Sequence, residues 1–233
     1  MDRNIEEIEI TSHFTQSISQ GFQVKLAFRS DLHISRKVWH LSMGLFMAFI
    51  YYFSGIAKTT AIFLLASAFG LAVFVEMARL RVSSFNDKVL KFWGPLMRSC
   101  EVNKVSGTPY YILATLLSIL IFPKPVAALA VLYLACGDPM ASLFGILYGK
   151  KSIRFSNGKS LIGTMAGVIT CIITGLVFLS TLPLSLPSLI AISFVGGVAG
   201  GTAELLPFDV DDNFTIPVIS GFVLWLAFMI FSV

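Results

Sequence analysis

Apolar residues in this chain come in long runs rather than in alternation. Seven stretches, near 38–54, 59–78, 107–122, 125–149, 160–181, 187–206 and 214–232, are almost continuous in Leu, Ile, Val, Phe, Ala and Gly. Crossing ~30 Å of hydrocarbon takes an α-helix about 20 residues at 1.5 Å each. The shortest run, 107–122, has to stand nearly upright to do so. The pattern predicts an all-α, polytopic membrane protein of about seven transmembrane helices.

Two further segments carry a helical period without being apolar throughout. Phe14, Ile18, Phe22 and Leu26 recur every four residues, which predicts an amphipathic helix on the membrane surface despite Gly21. Phe85, Val89, Phe92, Trp93, Leu96 and Met97 share one face of the segment 79–106, with Lys88, Lys91 and Arg98 on the rest, and predict an interfacial helix. No internal repeat is visible. The expected organisation is a polar, surface-lying segment over 1–30 followed by a single transmembrane domain over 31–233.

Composition strengthens this picture: 56% of the 233 residues are hydrophobic and 13% charged, which a water-facing surface does not allow. Charge then orients the chain. Fifteen of the 17 lysines and arginines flank one side of the bundle, leaving Lys58 and Lys124 on the other. The positive-inside rule makes the rich side cytoplasmic, with the N-terminus there and the C-terminus opposite. The acidic residues crowd onto the same side, so chemistry is expected to face the cytoplasm. The basic residues flank the membrane instead of forming a dense stripe, which argues against nucleic acid. Cys100, Cys136 and Cys171 form no CxxC pair and read as reduced, structural thiols. The acidic first residues and an apolar run starting only near Val38 do not resemble a cleavable leader.

Ionisable residues at membrane depth are costly, at about 2.5–3.5 kcal/mol each on insertion scales, and mark functional sites. Asp138 is the clearest, thirteen residues into the fourth run and followed by Pro139. The pair predicts a helix broken at mid-depth, with the carboxylate capping the second half beside a cavity. Ala141, Ser142, Gly145 and Gly149 continue that face as a small-residue strip that would admit a bulky ligand. Next comes a basic loop, Lys150, Lys151, Arg154 and Lys159, with an Asn157-Gly158 turn and Lys159-Ser160 at the start of a helix. Free N–H groups and the positive dipole end there suit a phosphate. The string is no P-loop, because Ile153 stands where that motif has its first glycine. Further on, Gly196, Gly197, Gly200 and Gly201 predict close helix packing, and Glu204, Asp209, Asp211 and Asp212 gather four acids with no local cation. Asp212 or Asn213 is expected to cap the last helix. Carboxylates that meet phosphates usually do so through Mg²⁺. Arg36, Lys37 and His40 share a face where the first run begins, and Glu76 sits near the end of the second, where an arginine is the expected partner.

In this order the residues resemble the polyprenol kinase family, which comprises dolichol kinases, phytol kinases and CTP-dependent diacylglycerol kinases. The matching pieces are Arg36-Lys37-Val38-Trp39-His40, Gly94-Pro95-Leu96-Met97-Arg98 with Glu101 and Ser106-Gly107, and Gly137-Asp138-Pro139-Met140-Ala141-Ser142 with Gly145 and Gly149. They continue through Asn157-Gly158-Lys159-Ser160-Leu161 with Gly163, then Glu204 and Asp211-Asp212-Asn213 with Pro217. The second piece is most like the diacylglycerol kinase branch. Pro139 departs from the threonine or small residue more usual after the aspartate. The resemblance implies CTP as phosphoryl donor, Mg²⁺, and a membrane lipid alcohol as acceptor: diacylglycerol first, then dolichol, another polyprenol or phytol. Beside it, the residues themselves offer Asp138, Lys159, Asp211 and Asp212 as catalytic candidates, Asp138, Glu204, Asp211 and Asp212 as metal ligands, and Lys150, Lys151, Asn157, Gly158, Lys159 and Ser160 as phosphate contacts. Arg36, Lys37, His40, Glu76, Arg98, Glu101 and Asn213 are further candidates. Phosphatidate cytidylyltransferases share CTP, Mg²⁺ and an intramembrane aspartate, but 204–213 lacks the arginine and histidine of their signature, so nucleotidyl transfer is the second reading. An ion-coupled transporter is the third; such folds pair broken helices in inverted repeats, and only one interrupted run is legible here.

Overall fold

A computed structural model describes residues 34–206 and 210–231. The amphipathic segment expected within 1–30, and Asp209, lie outside the described residues. Each apolar run is one helix, and the described helices in order are α1 (Ile34–Phe53), α2 (Lys58–Arg81), α3 (Ser83–Trp93), α4 (Gly107–Ile121), α5 (Lys124–Tyr148), α6 (Leu161–Leu179), α7 (Leu186–Thr202) and α8 (Asp212–Phe231). Short 3-10 turns extend several of them, at Gly94–Leu96, Ser99–Glu101, Gly149–Lys151 and Ala203–Leu205. Five helices, α2 and α5 to α8, are long and apolar enough to cross a membrane. The chain is an all-α, multi-pass membrane protein.

α5 is the axis. It packs against α1, α4, α6, α7 and α8, and 72% of its span is buried against 11% for α2. Leu129, Tyr133 and Leu134 on α5 are fully buried, as are Ile192 on α7 and Leu224 on α8. α2 lies at the edge, packed on α3 and α4, and turns Phe63, Leu71 and Phe74 outward, as a lipid-facing helix must.

Lipid gives helices no hydrophobic reason to associate, so close packing through small residues holds them together. A methyl group added at Gly197 of α7 would sit 2.6 Å from the backbone nitrogen of Ile172 on α6, and one at Gly163 of α6 would sit 2.7 Å from the carbonyl of Ala141 on α5. The glycines at 196–201 thus do the packing their spacing predicts.

Two expectations are corrected here. α5 runs unbroken through Asp138-Pro139. Proline inside a helix costs about 3 kcal/mol, but unwinding there would strand several backbone groups away from water at several kcal/mol each, so losing one hydrogen bond is the cheaper outcome. The strip after Asp138 does not admit a bulky ligand either. A methyl on Gly145 would lie 3.2 Å from Ser160 Oγ, and one on Gly149 2.7 Å from it. The strip is filled by the start of α6.

A leucine at position 197 should therefore wedge α6 from α7 and lower the melting temperature of the solubilised protein by about 5–10 °C. Alanine at Gly70, which faces open space on α2, should leave it unchanged or slightly raised. Thermal unfolding of the two variants side by side checks this.

Candidate active site

One end of the bundle collects the starts of α1, α4, α6 and α8 with the ends of α2 and α7, and Asp138 opens toward it from α5. Asp138, Glu204 and Asp212 each bring a carboxylate oxygen within 4.8 Å of the other two. They come from α5, the turn after α7, and the first residue of α8. Lys159 Nζ stands among them, 2.8 Å from Glu204 Oε2 and 2.6 Å from Asp212 Oδ2. Burial opposes the ammonium charge, yet Glu204, Asp212 and Asp138 outweigh it and hold the Lys159 pKa above its ordinary value.

Local structure sets this lysine in place. Residues 154–160 fold into a tight turn closed by an antiparallel bridge between Arg154 and Ser160. Gly158 sits at φ +79°, in the left-handed region that glycine enters without strain. Asn157 Oδ1 accepts the Lys159 N–H at 3.0 Å, while its Nδ2 donates to the Glu204 carbonyl at 3.1 Å. The Asn157-Gly158 turn signal thus tethers the loop to the end of α7. Ser160 Oγ accepts the Gly163 N–H at 3.1 Å and caps α6. Thr164, one turn later, donates to Glu204 Oε1 at 3.2 Å, a contact the reading of the sequence missed. Its signal was a hydroxyl one turn beyond Ser160, the first of three threonines in the helix.

The acids at 211 and 212 divide their work. Asp211 Oδ1 accepts the Asn213 N–H at 3.0 Å and its carbonyl accepts the Phe214 N–H at 2.9 Å, so Asp211 caps α8 where Asp212 or Asn213 was expected to. That frees Asp212 for Lys159, and it removes Asp211 from the carboxylate group that Asp138, Glu204 and Asp212 form. Burial pushes the Asp211 carboxyl upward, against the Asn213 N–H and Arg98. Asn213 is buried and donates to the Gly107 carbonyl at 3.3 Å, tying α8 to α4.

His40 Nε2 approaches Asp138 Oδ2 at 3.9 Å. That nitrogen is buried without a hydrogen-bond partner, and the ring packs edge-on against Tyr111, centroids 4.7 Å apart. Lys37 lies close enough to Asp138 to feel its charge.

The other candidates hold the frame. Arg36 pairs with Glu101 at 2.9 Å, and Glu101 also accepts the N–H groups of Arg98 at 2.8 Å and Gly107 at 3.3 Å. Glu76 does meet an arginine: Arg79 grips it through two nitrogens at 3.0 and 2.6 Å. Glu76 further accepts from the Ser106 N–H and hydroxyl, both at 2.9 Å, and Arg79 donates to the carbonyls of Val102 at 3.1 Å and Lys104 at 2.6 Å. Lys150 and Lys151 are exposed on the turn after α5 and form no ion pair among the described residues, so they are not brought to the carboxylates of Asp138, Glu204 and Asp212. Hard oxygen donors in this number suit Mg²⁺.

No protein-family model matches the chain, and no solved structure does. Among characterised proteins it is similar to CTP-dependent diacylglycerol kinase 1 of Saccharomyces cerevisiae, 32% identical over 212 residues that cover 83% of this chain and 73% of the yeast protein. The Schizosaccharomyces pombe protein of that name is 30% identical over 203 residues, covering 83% of this chain and 92% of the relative. A probable chloroplastic phytol kinase of Glycine max is 29% identical over 136 residues, covering 52% and 44%. The described bundle lies largely within the span these yeast proteins share with it, and the chain belongs to the CTP-dependent diacylglycerol kinase branch of the polyprenol kinases, a family of membrane phosphotransferases with an alcohol acceptor.

Proposed function

We propose that this protein transfers the γ-phosphate of CTP to the hydroxyl of a membrane lipid alcohol at the cytoplasmic face of its membrane. Diacylglycerol is the favoured acceptor, ahead of a polyprenol such as dolichol, or phytol, because the relatives covering most of the chain are named for it. The observation that carries the reading is the meeting of Asp138, Glu204 and Asp212 around Lys159. Carboxylates grouped to hold a metal, with a cation to meet phosphate oxygens, are parts that phosphoryl transfer uses.

Such transfer rests on positioning and charge neutralisation more than on covalent participation by the enzyme. Asp138, Glu204 and Asp212 would hold Mg²⁺, whose charge offsets that of the phosphate oxygens. Lys159, held protonated by the same carboxylates, reaches the phosphates with its remaining donor capacity. The lipid hydroxyl is placed beside Asp138, whose Oδ2 faces His40 Nε2 at 3.9 Å, so that its oxygen meets the terminal phosphate. That oxygen bonds to the γ-phosphorus as the bond from phosphorus to the β–γ bridging oxygen breaks. Lipid phosphate, CDP and a proton result. Arg36, Glu101 and the Glu76–Arg79 pair keep the surrounding loop in place. The positive-inside asymmetry supports a site that opens to the cytoplasm.

The reading is tested with purified protein in lipid, Mg²⁺, and CTP labelled on either the γ- or the α-phosphate. The acceptors offered are diacylglycerol, a polyprenol, phytol and phosphatidate. γ-Label should appear in phosphorylated diacylglycerol; α-label in a lipid product would mean nucleotidyl transfer instead. Asp138→Asn removes charge but little volume, and should cut turnover about a hundredfold or more while the protein stays folded. Asp212→Asn should raise the Mg²⁺ concentration needed for half-maximal rate by about tenfold, read from a metal titration at saturating CTP.

A further inference from the structure

Beside the carboxylate group lies an open cavity of about 490 Å³, within the ~300–1,000 Å³ usual for small-molecule sites. Asp211 and Asp212 line one side of it, and the segment joining α3 to α4 lines the other with Arg98, Lys104, Val105 and Tyr110. Asp212 belongs both to the cavity and to the metal-holding group. A ligand filling the cavity therefore presents one end to the carboxylates.

The facing wall is cationic and underused. Lys104 is exposed and its ammonium has no ion pair among the described residues. Arg98 comes no nearer than 4.0 Å to Asp211, with 41% of its side chain exposed. Tyr110 is half-buried on the first turns of α4, and with Val105 it offers an aromatic and apolar surface next to the two cations. The wall is also stiff. Arg79 bonds the carbonyls of Val102 and Lys104, Glu76 bonds both polar groups of Ser106, and Glu101 bonds the Arg98 N–H. A buried ion pair thus serves to hold the loop that presents Lys104 to the cavity.

Cations for phosphates, a planar ring for a base, and a floor shared with the metal ligands describe one chemical class, a nucleoside triphosphate. The geometry points to this cavity as the seat of the donor nucleotide, with its α- and β-phosphates on Arg98 and Lys104 and its base against Tyr110 and Val105. This rests on the kinase reading for the identity of the donor, and it moves the nucleotide away from the basic loop after α5. In that loop Lys150 and Lys151 lie outside the cavity lining and Ser160 is buried as a helix cap against Gly145 and Gly149, while Lys159, held by Glu204 and Asp212, is left for the terminal phosphate alone.

The experiment measures equilibrium binding of labelled CTP with Mg²⁺ to the purified full-length chain, without lipid acceptor, and then KM for CTP and for diacylglycerol during turnover. Lys104→Met and Tyr110→Leu should each weaken CTP binding and raise the KM for CTP about tenfold, leaving the KM for diacylglycerol unchanged. Tyr110→Phe, which keeps the ring, should bind CTP as the parent does. Lys104→Met changes only an exposed side chain, so it decides the matter if Tyr110→Leu lowers the folded yield. Unaltered CTP binding in Lys104→Met overturns the assignment. So does loss of binding in a Lys150→Met/Lys151→Met double variant while Lys104→Met binds normally. A parent protein that binds CTP through Lys104 but puts no γ-label into lipid would overturn the kinase reading and leave the pocket standing.

Discussion

A carboxylate in a bilayer protein is tolerable only if something of opposite charge meets it, and Lys159 supplies that charge for two at once. Its ammonium lies 2.8 Å from Glu204 and 2.6 Å from Asp212, joining the loop before α6 to the end of α7 and the start of α8. Removing the lysine would leave both carboxylates without their cation, Glu204 in an almost sealed position. Much of the local architecture follows. The Asn157-Gly158 turn aims the lysine, Ser160 starts α6 in the right place, Thr164 takes up the remaining Glu204 oxygen, and Asp211 caps α8 so that Asp212 is left free. Asp138 comes from the buried axis helix and needs no loop to place it.

The helices were legible because a bilayer leaves so little choice: the apolar runs match α1, α2 and α4 to α8 to within four residues at each end, and five of these described helices are long and apolar enough to cross. The membership of the site was largely legible too, since Asp138, Lys159, Glu204 and Asp212 stand out as charges where charge is costly. What local rules missed was decided by packing. Proline after an aspartate reads as a break, but the alternative to helix inside α5 is worse than one missing hydrogen bond. Which of Asp211 and Asp212 caps α8 depends on a boundary shift of a single residue. The small strip after Asp138 looked like room for a ligand because its partner, the start of α6, is distant in sequence. Lys104 and Tyr110 drew no notice at all, as one more flanking charge and one more aromatic at a helix start. Their position depends on Arg79, reaching across 25 residues to a backbone carbonyl.

The second buried pair, Glu76–Arg79, shows the same economy of charge put to another use. Neither side chain belongs to the carboxylate group, and both are nearly sealed from solvent. Their hydrogen bonds run to backbone and side-chain groups of the loop 102–106, to Ser106 at the start of α4 and to Asn86 of α3. The pair therefore converts the end of α2, a helix otherwise loosely held at the bundle's edge, into an anchor for the segment that carries Arg98 and Lys104.

With both pairs in place, the carboxylate group has two different neighbours. On one side stands His40, buried, with Tyr111 against its ring and a nitrogen short of a partner. On the other is the open, cationic cavity that shares Asp212. A reaction between a lipid and a water-soluble nucleotide needs this asymmetry. On the proposed reading the acceptor arrives from the buried side and the donor from the open cavity, and the two meet at the carboxylates of Asp138, Glu204 and Asp212. Among the described residues, His40 and Asp138 face each other at 3.9 Å on the buried side, and a cavity of about 490 Å³ opens on the other. By the same reading the cavity has the size a nucleotide needs, and the His40–Asp138 contact has to widen before a hydroxyl can enter it.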